Sequence, residues 1–168
     1  MFRFLEIIII LLFLPFIILL CVIISLLIFI ETKGNVIHLS KRVGINSKIF
    51  LMPKFRTMKL NAPQVATHLL SDPDIYLTRF GKILRKASLD ELPQVISIIS
   101  GKMSLVGPRP ALYNQYDLIE KRRANNIDKI RPGITGWAQI NGRDDLSIDQ
   151  KVQFEIEYIN KKNFLFDL

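Results

Sequence analysis

The sequence predicts an α+β protein that is mainly helical, with an N-terminal helix embedded in a membrane, further amphipathic helices at its surface and one small β-hairpin. Three observations predict it. Ile7 to Ile30 contains no charged residue. Apolar residues recur at helical spacing in two later stretches, Leu89 to Ser100 and Ala111 to Ile130. Two short β-branched and apolar segments, Val36-Ile37 and Lys48 to Met52, flank Gly44-Ile45-Asn46-Ser47, which has the composition of a turn. A length of 168 residues fits one domain. The organisation read from this is a membrane-embedded helix over 1–32 and a separate body over 33–168.

The apolar run would form a helix of roughly 36 Å, against a bilayer core of roughly 30 Å. No small-x-small cleavage pattern follows it, so it is read as retained rather than as a removed signal peptide. Pro15 interrupts the run and removes a backbone donor. Two geometries remain open: a kinked helix that spans the bilayer, and a bent one that enters and leaves by the same face. Lys33, Lys41, Arg42, Lys48, Lys54 and Arg56 follow the run and only Arg3 precedes it, which puts the body on the cytoplasmic side. The net charge of +8 lies after the apolar run, because Arg3 and Glu6 cancel. A basic body beside a membrane favours anionic partners such as lipid head groups, nucleotides and phosphorylated substrates. Cys21 is the only cysteine, which excludes an intrachain disulfide and a multi-cysteine metal site.

Further along, a short helix is expected between Asn61 and Asp74, bounded by prolines, and another over Arg79 to Arg85. Leu92, Val95, Ile96 and Ile99 place a helix over Leu89 to Ser100 that Gly101 ends. Over Ala111 to Ile130, Tyr113, Tyr116, Leu118, Ile119 and Ile127 are set against Glu120, Lys121, Arg122 and Arg123, a basic amphipathic pattern. Asn141-Gly142 carries hairpin-turn chemistry, and Lys151 to Lys162 a last helix.

The adjacent carboxylates Asp90 and Glu91 are the leading chemical feature. Ser88, three residues before Glu91 and ahead of an apolar helical pattern, also reads as a capping box, so the pair has a purely structural explanation. The chemical explanation makes Asp90 an ionised nucleophile toward phosphorus and Glu91 a ligand for Mg²⁺ on a diphosphate. Lys54, Arg56, Arg79, Lys82, Arg85, Arg109, Arg131 and Arg143 offer charge for phosphoryl transfer, with Arg109 held between Pro108 and Pro110. Phosphate-loop and dinucleotide patterns are absent, and His38 and His68 lack metal-ligand spacing.

These stretches resemble the bacterial sugar transferases, the monotopic phosphoglycosyl transferase family. The matching residues are Arg42-Val43-Gly44, Lys54-Phe55-Arg56-Thr57-Met58, Leu77-Thr78-Arg79-Phe80-Gly81, Leu84-Arg85, Ser88 to Gln94, Gly101 to Pro110 and Pro132 to Arg143, in family order along nearly the whole chain. The resemblance implies transfer of a sugar 1-phosphate from a UDP-sugar to undecaprenyl phosphate with Mg²⁺, releasing UMP. It implies Asp90 as the nucleophile that carries a covalent phospho-sugar, Glu91 as the metal-serving residue, and Lys54 as catalytically important. It also implies Arg56, Arg85, Arg109, Arg143 and Asp167 as phosphate or nucleotide contacts. The expected setting is the cytoplasmic face of a bacterial inner membrane, among its lipids, with downstream glycosyltransferases as partners and no nucleic acid. A catalytically inactive, membrane-anchored scaffold for glycan assembly is the alternative. The family's N-terminal helix is re-entrant and broken at a Ser-Pro, where this chain has Leu14-Pro15. Glu155 stands at an aspartate position of the family and Asn163 at a serine. Relatives continue past the residue matching Asp167, so Asp167, one residue before Leu168, is expected to be weakly anchored.

Overall fold

The computed structural model describes residues 2–59, 62, 73–142 and 145–168. Most of the helix expected between Asn61 and Asp74, together with His68 and Arg143, lies outside the described residues. The elements bear out a mainly helical α+β chain with a small sheet and a long apolar N-terminal helix. By packing, the chain divides into two compact units. One comprises Met1–Ile9, Lys41–Met52 and Ser97–Leu168, the other Ile10–Ser40 and Pro53–Ile96.

Helix α1 (Phe2–Thr32) is recorded as one helix with Pro15 inside it, rather than as two halves. Among the described residues it is long and apolar enough to cross a membrane by length and composition. Most of its large side chains are exposed, as Leu12, Phe16 and Leu26 illustrate. Strands β1 (Ile37–Val43) and β2 (Ile49–Phe55) form the expected hairpin sheet, since a connection this short joins only antiparallel neighbours. Its turn uses Asn46 and Ser47, both at positive φ, and is closed by the Gly44 amide donating to the Lys48 carbonyl at 2.8 Å.

In the unit built on residues 10–40 and 53–96, Ile24 and Ile28 of α1 pack with Phe55 of β2 and Leu84 of helix α2 (Arg79–Lys86). Leu20, Cys21, Val36, Leu89 and Leu92 surround that cluster. Helix α2 is capped by Thr78, whose hydroxyl accepts from the Gly81 amide at 2.9 Å. A tight 3₁₀ stretch, Leu89–Gln94, follows and leads into α3 (Val95–Ile99). Pro93 has no N–H to extend an α ladder, which accounts for the 3₁₀ winding where one continuous helix was expected. Gly101, at φ 79°, ends α3 as expected.

In the other unit, strands β3 (Ser104–Val106) and β4 (Gly133–Thr135) pair in parallel, Ser104 opposite Gly133 and Val106 opposite Thr135. Between them runs α4 (Tyr116–Ala124), about half the length of the helix expected over Ala111 to Ile130. The Gln115 side chain takes the Leu112 amide at 2.8 Å, and a separate 3₁₀ turn holds Ile127–Lys129. Leu118 and Ile127 pack with Ala111 and with Val152 of α6 (Ile148–Lys161), while Tyr116 is exposed. Short α5 (Trp137–Ile140) ends at Asn141, so Asn141-Gly142 closes a helix instead of joining two strands. Ser147 and Gln150 form a reciprocal capping box at the start of α6, and α7 (Phe164–Asp167) is capped by the Asn163 side chain.

Candidate active site

Five of the expected site residues fall within one unit, around the end of β2, helix α2 and the 3₁₀ stretch after it. Asp90 and Glu91 are buried there, at 8% and 7% exposure. Lys54, on β2, donates to Glu91 Oε1 at 3.1 Å, and both side chains are largely shielded. Arg85, on α2, donates through Nε to the hydroxyl of buried Thr57 at 2.9 Å. The Nε of Arg56 is buried without a hydrogen-bond acceptor among the described residues.

Local geometry explains how these groups meet. A Cβ at Gly81 would collide with the Thr57 carbonyl oxygen, so glycine is what allows α2 to lie against the segment after β2. Thr78 N–H also donates to the Thr57 carbonyl at 3.0 Å, and Arg85 closes the same approach from the far end of α2. Helix α2 ends at Ala87, and Ser88 follows at φ 55° in the left-handed region usual for the residue after a helix. Ser88 therefore terminates one helix and does not cap the next. Its side chain makes no capping hydrogen bond, and Glu91 pairs with Lys54. The capping-box explanation of the Asp90-Glu91 pair is overturned by this geometry.

The electrostatics centre on Asp90. Burial raises its carboxyl above the ordinary carboxylate range and the Glu91 charge adds to that, while Lys54 foremost, then Arg85 and a backbone hydrogen bond pull the other way. The Arg85 guanidinium is itself lowered by burial and partly restored by Asp90. Burial and a neighbouring carboxylate thus oppose ionisation of Asp90, and two cations oppose its neutralisation. This is a carboxylate whose charge is available but poorly solvated.

Among the described residues no group of three or more His, Cys, Asp or Glu side chains is placed to hold a metal. The donor set at Asp90 and Glu91 is a pair of adjacent buried carboxylates. Mg²⁺ is commonly held by one or two carboxylates and completed by water and substrate phosphate oxygens, so this pair fits it without a full protein cage.

Arg109 and Asp167 belong to the other unit. Arg109 is half-buried in the loop after β3. Asp167 is firmly held, contrary to expectation: the Tyr158 hydroxyl donates to its Oδ1 at 2.9 Å, and Phe166 beside it packs on Trp137 with ring centroids 4.9 Å apart. Tyr158 is fully buried, and burial, reinforced by Asp167, pushes its phenol well above its usual range. Sequence reasoning attached no role to Thr57 or Gln94. Gln94 is buried at 1% exposure with its amide nitrogen unpartnered among the described residues. Three residues after Glu91 in a 3₁₀ turn, it shares that residue's face, a spacing that was available to find it. Arg122, set on a solvated face by its neighbours in sequence, is instead buried and paired with Glu155.

A family model described as bacterial sugar transferase matches residues 1–168, and the chain belongs to that family. It is 41% identical over 127 residues to the uncharacterized sugar transferase EpsL of Bacillus subtilis, covering 76% of this chain and 61% of that one. It is 40% identical over 154 residues to the UDP-glucose:undecaprenyl-phosphate glucose-1-phosphate transferase of Escherichia coli, covering 86% and 33% respectively. A UDP-N-acetylgalactosamine-undecaprenyl-phosphate N-acetylgalactosaminephosphotransferase of Aeromonas hydrophila is 36% identical over 143 residues, covering 83% and 34%. The chain thus spans 61% of the first relative and about a third of the other two.

Proposed function

We propose that the chain transfers a sugar 1-phosphate from a UDP-sugar to undecaprenyl phosphate and releases UMP, the first membrane step of lipid-linked glycan assembly. Membership of the family and the substrates named for the Escherichia coli and Aeromonas hydrophila relatives support the reaction class. The observation that carries it to particular residues is the buried Asp90 carboxylate set among Glu91, Lys54 and Arg85.

In the first step an Asp90 carboxylate oxygen attacks the sugar-bearing phosphorus of the UDP-sugar. A P–O bond forms as the bond to the bridging diphosphate oxygen breaks, and UMP departs with that oxygen and its electron pair. In the second step a phosphate oxygen of undecaprenyl phosphate attacks the same phosphorus and expels the Asp90 carboxylate unchanged. The poor solvation of Asp90 leaves the nucleophile reactive, and Lys54 and Arg85 stabilise the carboxylate charge when the same group departs. Lys54 and Arg85 keep Asp90 ionised before attack, and Arg56, with its unpartnered buried Nε, contacts a phosphate oxygen. Arg109 is a further phosphate contact, and Arg143 and Asp167 act in nucleotide binding. Glu91, with Asp90 adjacent, would hold Mg²⁺, which when bound supplies charge neutralisation on the diphosphate.

A position at the inner membrane is supported by helix α1, which is long and apolar enough to cross a bilayer. A re-entrant course is what the family resemblance implies for this helix, and each of its ends is fastened within its own unit. Arg3 donates to the Met103 carbonyl at 3.2 Å and to the Ile98 carbonyl, and Glu6 accepts the Leu105 amide at 3.1 Å. Glu31 accepts the Arg79 and Phe80 amides at 2.7 and 3.3 Å.

The deciding experiment is UMP release from a panel of UDP-sugars with undecaprenyl phosphate and Mg²⁺, for the unsubstituted chain and for Asp90→Asn. Release by the unsubstituted chain alone is expected, with a phospho-sugar adduct on Asp90 detectable by mass spectrometry. No release from any sugar would instead favour the inactive scaffold, and equal release by both proteins would remove Asp90 from its role.

A further inference from the structure

We infer that Arg122 and Glu155, with Arg42 as a second clamp, are positioning residues for Arg109, acting through the main-chain carbonyls of the loop that carries it. The inference rests on Arg109 serving the proposed transfer. It starts from where the carbonyls of Pro108 to Ala111 go. Pro108 O accepts the Gly133 amide at 2.9 Å, and Arg109 O accepts Arg122 Nη2 at 2.9 Å. Pro110 O accepts Arg42 Nη1 at 3.1 Å, and Ala111 O accepts the Val43 amide at 2.9 Å.

Consecutive carbonyls are therefore held by donors from four different places: β4, α4, the Arg42 side chain and the main chain at Val43. This is unusual for a segment outside regular structure, whose carbonyls mostly face water. The prolines on either side of Arg109 have no N–H, so the loop has few donors of its own and its acceptors carry much of the fastening. Two of the four donors are guanidinium groups, and each guanidinium–carbonyl bond is charge-assisted.

Arg122 is the member whose cost demands a reason. It is buried, and Glu155, at 3% exposure, engages it through both carboxylate oxygens, Oε2 at 2.8 Å from Nε and Oε1 against Nη2. A buried pair of this kind is often no more stabilising than apolar residues of the same volume. Packing alone does not account for it. The pair does, however, aim a rigid donor fork at the Arg109 carbonyl, an alignment that a point-charge lysine would not reproduce. Glu155 fixes the fork's orientation and neutralises it, so the loop gains a donor without a net buried charge.

The test uses the full chain in detergent or nanodiscs and reads UMP release alongside thermal melting. Arg122→Met combined with Glu155→Leu removes the fork but keeps the volume, which guards against mere unfolding. A folded protein with UMP release reduced about tenfold, mainly through a raised KM for the UDP-sugar, is expected. Unchanged kinetics in a folded protein would overturn the inference. The same pair of changes made in an Arg109→Ala background is expected to cause no further loss, since the clamp acts through Arg109. Independent, multiplying losses would also overturn it. If the unsubstituted chain releases no UMP, the catalytic reading fails by itself. Hydrogen exchange then decides the clamp: the Val43 and Gly133 amides, which bond the loop carbonyls beside Arg109, should exchange faster in the Met/Leu protein, and unaltered exchange sinks the inference.

Discussion

Among the described residues two ion pairs are largely buried, and they are built differently. Lys54 and Glu91 meet at 3.1 Å, a flexible ammonium against a carboxylate oxygen. Arg122 and Glu155 meet through both oxygens of the carboxylate, with a further bond from the same guanidinium to a backbone carbonyl. An ammonium on a four-carbon stem can turn toward a different anion at little cost, whereas a planar fork committed in three directions cannot. The first pair lies beside Asp90, where the proposed transfer would bring an anionic substrate. The second holds a loop in place. Similar charge and similar burial thus yield an exchangeable contact in one unit and a fixed one in the other.

The largest effect that would sharpen this comparison is Asp90→Asn. It is expected to lower UMP release on the order of 10³-fold or more, as loss of a covalent nucleophile does. The same change should raise the melting temperature at neutral pH. A carboxyl raised above its unfolded value stabilises most below the unfolded pKa, and that contribution is lost as pH rises through the folded value, so at neutral pH the buried charge is a cost that asparagine removes. A lowered melting temperature would break the description of Asp90 as poorly solvated.

Next in size is Arg122→Ala, which leaves Glu155 buried without its partner and should cost about 3–5 kcal/mol in denaturant unfolding. Lys54→Met is expected to cost less stability and far more activity, reversing the order of the two readouts; equal profiles for the two substitutions would remove the distinction between the pairs. A smaller effect concerns pH. The acid limb of UMP release should lie above the ordinary aspartate range, moving up in Arg85→Gln, which removes a cation that lowers Asp90, and down in Glu91→Gln, which removes a like charge. Coincident limbs in all three proteins would detach Asp90 from the profile. Smallest of all, the exposed Lys121–Asp149 pair sets the baseline, and Asp149→Asn should change stability by less than about 1 kcal/mol.

Much of this could be read before any coordinates. The uncharged run from Ile7 to Ile30 needs only composition to become α1, and the β-branched segments around Gly44 to Ser47 led directly to the hairpin. The ordered motifs singled out Lys54, Arg85, Asp90 and Glu91, which the fold gathers in one unit. What escaped depends on partners distant in sequence. Ser88 to Glu91 spells a capping box, but whether Ser88 begins a turn or ends α2 depends on where α2 stops. Arg122 sits in a basic run and looks solvated until Glu155 arrives 33 positions later. Strands β3 and β4, at three residues each, are too short to carry any periodicity. Gly133, by contrast, is legible in hindsight, because a Cβ there would strike the Gly107 amide across the parallel ladder.

The packing of Ile24 and Ile28 bears on modularity. These side chains, at 4% and 1% exposure, belong to the same cluster as Phe55 and Leu84, which support the segments bearing Lys54 and Arg85. The apolar helix is therefore not a detachable tether. Trimming it away, or exchanging it for an unrelated hydrophobic anchor, would remove part of the interior on which the Asp90 region is assembled. Changes in this helix are consequently constrained from two sides, by the apolar surface that it exposes and by the protein interior that it completes.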